Sequence, residues 1–83
     1  MNYTALINVM PHRELLDPQG KTVSNNMTHL DISDVHDVRI GKHIEMHLSA
    51  SSREAAEQKV ETACKKLLSN PVMEYYEYEL QEA

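Results

Sequence analysis

The sequence contains no tryptophan and no phenylalanine, one cysteine and two glycines. Without Trp or Phe, a core has to be assembled from Leu, Ile, Val, Met, Ala and some of the four Tyr. A single cysteine, Cys64, excludes an internal disulfide. Its place beside Ala63 and Leu67 in a helical pattern favours a buried structural thiol over a nucleophile. The two glycines, Gly20 and Gly41, exclude a glycine-rich phosphate loop. No apolar stretch nears the roughly 20 residues needed to span a bilayer. The start, Met1-Asn2-Tyr3-Thr4, has neither the basic residues nor the apolar run of a signal peptide, so a soluble cytoplasmic protein is expected. Positive charge is scarce too, and the net charge is −5. Nucleic-acid binding requires Lys and Arg to neutralise phosphates, and the longest basic run here is Lys65-Lys66. Neither a nucleic-acid nor a membrane partner is expected. The acidic residues gather late, at Glu74, Glu77, Glu79 and Glu82, and read as a solvated edge.

What is present fits one small domain over residues 1–83. Residues 3–10 alternate, with Tyr3, Ala5, Ile7 and Val9 on one side, as in a strand with one face buried. Leu6 and Met10 fall on the other side, which is expected to be partly covered as well. Pro11 ends the strand. Asp17-Pro18 is a helix-start signal, and Val23, Met27 and Leu30 then form one apolar stripe. Gly20 in the first turn costs up to about 1 kcal/mol relative to Ala. Two explanations stand: close approach of another backbone or a ligand, or a loosely wound first turn.

Residues 35–49 read as a hairpin around Gly41-Lys42-His43. In that register Ile40 faces Ile44, Val38 faces Met46 and His36 faces Leu48. On the opposite side Arg39 faces Glu45 and Asp37 faces His47, so charge meets opposite charge. Gly41 or a neighbour is then expected at positive φ. Ser51 and Glu54 suggest a capping box before a helix that buries Ala56, Val60, Ala63, Cys64 and Leu67, supported by a Glu61–Lys65 pair. That helix stops before Asn70-Pro71. From Val72 to Leu80, Tyr76, Tyr78 and Leu80 alternate with Glu77 and Glu79 as a last strand. The expected fold is α+β, a β-α-β-β-α-β two-layer sandwich with a mostly antiparallel sheet and two helices on one face. Helices cover only one face of such a sheet. If Leu6, Met10, Ile44 or Met46 lie on the other, a second copy of the chain is the simplest cover.

Chemistry is hard to place. The five histidines, His12, His29, His36, His43 and His47, have no metal-ligand spacing. His43 and His47 in a strand stand about 13 Å apart, where zinc would need a helix. Ser49, Ser51 and Ser52 sit at a helix start, where Ser normally caps. No catalytic residue, metal site or cofactor site is expected in the chain. Such a domain suits assembly or binding better than free-standing catalysis.

Three segments carry a resemblance. Leu15-Leu16-Asp17-Pro18-Gln19-Gly20 resembles the Asp-Pro-x-Gly segment of the PurS family. Val35-His36-Asp37-Val38-Arg39-Ile40-Gly41-Lys42 resembles its Val-x-x-Val-Arg-x-Gly-Lys signature. The run from Lys66 to Tyr78 resembles its closing Leu-Leu-x-Asn-x-Val-Ile-Glu-x-Tyr, with Pro71 inserted after Asn70. The likeness spans residues 3–80. It implies the small subunit of phosphoribosylformylglycinamidine (FGAM) synthase, a glutamine-hydrolysing, ATP-dependent ligase of purine biosynthesis. Such a subunit forms homodimers, sometimes tetramers. It bridges a synthetase, PurL, which holds ATP and Mg, and a glutaminase, PurQ, and helps ammonia pass between them. The resemblance makes Asp17, Pro18, Gly20, Arg39, Gly41 and Lys42 candidate partner-interface residues. Arg39 has two readings, a pair with Glu45 inside the hairpin or, with Lys42, positive charge offered to an acidic patch. On the second, changing both to Glu is expected to weaken assembly and spare the fold. A competing reading is a dimeric ferredoxin-like small-molecule sensor, and a third is a small isolated enzyme using His or Cys64.

Overall fold

The computed structural model describes residues 1–15 and 17–83. Leu16, part of the first motif, lies outside the described residues. Strand β1 (Asn2–Pro11) forms as its alternation predicts, burying Tyr3, Ala5, Ile7 and Val9 on one face. It is the central strand. β2 (Lys42–Ser49) and β3 (Glu74–Glu82) pair with it antiparallel in the order β2-β1-β3. Ile7 stands opposite Ile44 and Tyr78, and Ala5 opposite Met46 and Leu80, so the apolar rows run straight across the sheet. Ile44 and Met46 therefore belong to the covered face, and only Leu6 and Met10 lie half-buried on the open one. On β3, Tyr76, Tyr78 and Leu80 point to the core while Glu77 and Glu79 are exposed, as expected. The strand begins two residues later than Val72 because Asn70 organises a turn. Its carbonyl accepts from the Met73 and Glu74 N–H groups at 2.9 and 2.7 Å, and Val72 is left 80% exposed.

Helix α2 (Arg53–Ala63) lies across the core face and buries Ala56, Val60 and Cys64 against Tyr3, Ile7 and Val9. Its cap is Ser52, one residue after the expected Ser51, and the Ser52 hydroxyl accepts from the Ala55 N–H at 3.2 Å. The helix runs on into a π turn (Cys64–Leu68), closed by the Ser69 N–H and hydroxyl on the Cys64 carbonyl at 3.0 and 2.7 Å. The wider winding carries Leu67 round to solvent, 81% exposed, and brings Leu68 to the core instead. The expected burial of Leu67 is thus corrected.

Helix α1 (Pro18–Asn26) starts at Asp17-Pro18 as expected and continues as a 3-10 turn (Met27–Leu30). Asp31, at φ 59°, ends it in the left-handed region, which Asp tolerates better than most residues. Two expectations fail here. Apart from the buried Gly20, α1 adds nothing to the core, and of the stripe Val23, Met27 and Leu30 the first and last are exposed and Met27 is half-buried, so among the described residues α2 is the helix that covers the sheet. Among the described residues, 35–40 pair with no strand and the sheet has three strands rather than four. Residues 32–41 have no regular secondary structure and lead into β2, Lys42 and His43 are strand rather than loop, and neither glycine takes a positive φ. The backbone of residues 38–40 is instead engaged by the start of α1. The resulting chain is elongated, 51 × 26 × 14 Å. Its radius of gyration is 16.4 Å, against about 12 Å for a compact domain of this length.

Candidate functional site

The first two motifs converge on the Pro11 end of the sheet. Asp17 is the centre of the junction. One carboxylate oxygen accepts the Gly20 N–H at 3.0 Å, capping α1, and the other accepts the Ile40 N–H at 2.7 Å. These two donors, with a smaller contribution from the Arg39 charge, hold the Asp17 carboxyl below its ordinary range. Gly20 is buried beneath the next strand of chain, and a Cβ there would overlap the Val38 carbonyl. Of the two explanations for this glycine, close approach of another backbone is correct. Gly41 is required for a similar reason, since a Cβ there would strike the Met10 sulfur and the Val9 carbonyl.

Arg39 does not pair with Glu45. Its guanidinium donates to the carbonyls of His12 at 2.7 Å, Pro11 at 3.2 Å and Arg13 at 3.4 Å, tying the segment before β2 to the chain leaving β1. Changing Arg39 to Glu would remove three hydrogen bonds from the junction. Lys42 reaches Glu74 at 3.9 Å and the Leu68 carbonyl at 3.4 Å with its side chain more than half exposed. Such an exposed pair contributes roughly 0–1 kcal/mol. Pro18 and Gly41 are exposed as well. Beside the junction is a shallow groove of about 400 Å³ whose walls include Leu15, Pro18, Lys21, Val38 and Arg39.

A second polar cluster has no signal in the sequence. The Tyr76 hydroxyl donates to the Glu61 carboxylate at 2.5 Å across the α2–β3 packing. That bond, aided by burial, pushes the Tyr76 phenol up to about 12 and holds Glu61 low. Fifteen residues separate the two, and only the packing of α2 on the sheet brings them together. The expected Glu61–Lys65 pair forms at 3.9 Å. Cys64 is fully buried, as expected, and burial pushes its thiol up. Three of the five histidines, His12, His43 and His47, have polar neighbours. His43 contacts Asn8 at 2.7 Å and His47 contacts Thr4 at 3.1 Å on the open face. Among the described residues, no three His, Cys, Asp or Glu side chains come together as a metal site, and no helix is long and apolar enough to cross a membrane.

The junction, then, is held by Asp17, Gly20, Arg39 and Gly41 engaging or making room for backbone groups. Residues 4–82 match the family model described as PurS: Phosphoribosylformylglycinamidine (FGAM) synthase. The chain belongs to the PurS family. It is 38% identical over 80 residues to the PurS subunit of Bacillus subtilis, covering 96% of this chain and 94% of that one. It is 30% identical over 80 residues to the PurS subunit of Methanocaldococcus jannaschii, covering 96% of each. Its fold is similar to PurS in the PurLQS structure from Thermotoga maritima, with TM-score 0.88, 31% identity and coverage of 98% of this chain and 99% of that one. The Bacillus subtilis PurS structure gives TM-score 0.84 and 36% identity over 96% and 99% of the two chains.

Proposed function

We propose that this chain is the small, non-catalytic subunit of FGAM synthase, one PurS-like domain over residues 1–83. It forms homodimers, which in some members of the family pair into tetramers. It joins a PurL synthetase to a PurQ glutaminase and supports passage of ammonia between them. The observation that carries this reading is the likeness, over 98% of the chain, to a protein solved within a PurLQS assembly. The chemistry of the chain agrees. Its polar clusters are spent on caps, carbonyl ties and strand packing, and its one thiol is buried. ATP and Mg belong to the synthetase, and this chain holds no cofactor. The assembly works in the cytoplasm, where purine precursors are made.

The junction at the Pro11 end is the proposed partner surface. Asp17, Gly20 and Gly41 fix its backbone, while Pro18, Arg39 and Lys42 present it. On a protein of net charge −5, the more than half-exposed Lys42 suits an acidic partner surface, while Arg39 holds the backbone beside it. Two measurements test the reading. Glutamine-dependent FGAM formation by the two larger subunits is expected to collapse when this chain is omitted, with ammonia-dependent formation largely kept. Full glutamine-dependent turnover in its absence would refute the assembly role. Amide exchange over residues 17–42 is expected to slow when the partners are added, and unchanged exchange there would move the interface elsewhere.

A further inference from the structure

Eight large apolar side chains are exposed among the described residues, and half of them, Leu67, Val72, Met73 and Tyr75, fall between residues 67 and 75. Single exposed apolar residues are ordinary, but a cluster marks a contact surface. Both ends of this cluster are built rather than loose. Leu67 is outside because the end of α2 winds as a π turn, a rare geometry found mostly at functional sites. Ser69 holds that winding with two bonds to the Cys64 carbonyl, from its N–H at 3.0 Å and its hydroxyl at 2.7 Å. Val72 stands in a turn pinned by its neighbours. Asn70 Oδ1 accepts the Val72 N–H at 3.1 Å, and the Glu74 carboxylate accepts the Asn70 N–H at 2.8 Å. His12 contacts the Pro71 carbonyl through Nε2 at 3.2 Å, and its N–H donates to the Met73 carbonyl at 2.9 Å. Turn positions favour Gly, Pro, Asn, Asp and Ser, yet this one shows a largely exposed Val72 to solvent. Five steps of chain separate Leu67 from Val72, so their Cα atoms stand within about 18 Å of each other. Lys42 ties the two elements together by reaching the Leu68 carbonyl and Glu74.

We infer that Leu67 and Val72 form a protein-docking surface whose occupant is a different polypeptide, one that offers an apolar seat ringed by carboxylates. The charge around the patch selects that chemistry. Lys65 and Lys66 precede Leu67 in the π turn, and Lys42 lies between that turn and Glu74. The Lys42 and Lys65 side chains are more than half exposed, and their own carboxylates, on Glu74 and Glu61, stand 3.9 Å away. At that distance no hydrogen bond is made, so both ammonium groups keep donors for an incoming acid. A second copy is a poor occupant, because a two-fold contact centred on Leu67 would press Lys65 and Lys66 against their own counterparts. An anionic membrane or a nucleic acid is disfavoured by the net charge of −5. Rigidity makes the patch effective, since apolar residues already held in place lose little freedom on binding. The inference rests on the assembly role in the proposed function. It places a contact with one of the larger subunits on the π turn and the 70–73 turn, adjoining the 17–42 junction at Lys42.

The test is binding of the full chain to PurL and PurQ together, followed by interferometry. Leu67→Ser with Val72→Ser is expected to weaken binding at least about tenfold, the loss usual for truncated interface anchors. Leu67→Met with Val72→Ile, which keeps the surface apolar, is expected to retain it. Lys65→Glu with Lys66→Glu is expected to slow association and flatten its salt dependence. Thermal unfolding and the mass of the free chain are expected to be the same for every variant, because these side chains lie outside the core. Native-strength binding by the serine variant would overturn the inference and leave the assembly role standing. A serine variant that no longer self-associates would assign the patch to a second copy and overturn it too. If the native chain bound neither subunit, the assembly role would fall and this inference with it.

Discussion

Changing Gly20 to Ala sets two effects of opposite sign against each other. Ala is the better helix residue by up to about 1 kcal/mol, so a free helix would gain stability. Here the added methyl meets the Val38 carbonyl, and it also crowds the Asp17 carboxylate oxygen at 2.6 Å. Backbone cannot rotate aside as a side chain can, and Asp17 can move only by giving up its bonds to Gly20 and Ile40. Overpacking of this kind costs roughly 1–3 kcal/mol. Against a backbone carbonyl the cost falls in the upper part of that range, about 2–3 kcal/mol, so subtracting the helix gain of up to about 1 kcal/mol leaves a net loss of about 1–2 kcal/mol, or a fall in Tm of roughly 5–15 °C for a domain of this size. Thermal unfolding followed by circular dichroism, at fixed protein concentration because a dimer's Tm depends on it, gives the number. Amide exchange gives the location, since the Ile40 N–H should exchange faster once Asp17 is displaced. A Gly20→Ala protein as stable as the original, with Ile40 equally protected, would mean that the two backbones are not in contact and that the account of the junction is wrong.

Three further outcomes are expected. Ile7→Ala, at a fully buried position, should cost about 2–5 kcal/mol in urea unfolding, while Leu67→Ala at 81% exposure should stay within about 0.5 kcal/mol; equal losses would contradict the π turn. Tyr76 should remain protonated near pH 11, when ordinary tyrosines have ionised, in an ultraviolet titration. Its folded value of about 12 exceeds the unfolded value near 10, so the stability it contributes is complete below pH 10 and is lost as pH rises from 10 towards 12. Tyr76→Phe should remove that high-pH transition and let the Glu61 pKa rise towards its ordinary range. Cys64 should resist alkylation in the native protein and react at the ordinary rate in denaturant, and fast native labelling would show that the core face at α2 is open.

The parts of this protein that the sequence determined are those whose physics is local. Alternation placed β1 and β3 and chose their buried faces, because a strand's side chains switch sides at every residue whatever it pairs with. Asp17-Pro18 set the start of α1, since capping and the fixed proline φ act within one turn. A single cysteine and only two glycines removed an internal disulfide and a glycine-rich phosphate loop before any fold was known. The hairpin argument was sound as pair matching, yet Val38, Arg39 and Ile40 do not fold back on β2 of their own chain. Complementarity states which side chains suit each other and not whether they sit in the same molecule. The burial of Leu68 over Leu67 depended on a single π turn, and the meeting of Tyr76 with Glu61 on how α2 crosses the sheet. The roles of Gly20, Arg39 and Gly41 became visible only in three dimensions. Each is defined by a backbone many residues away, and such long-range backbone contacts are settled only when the whole chain packs.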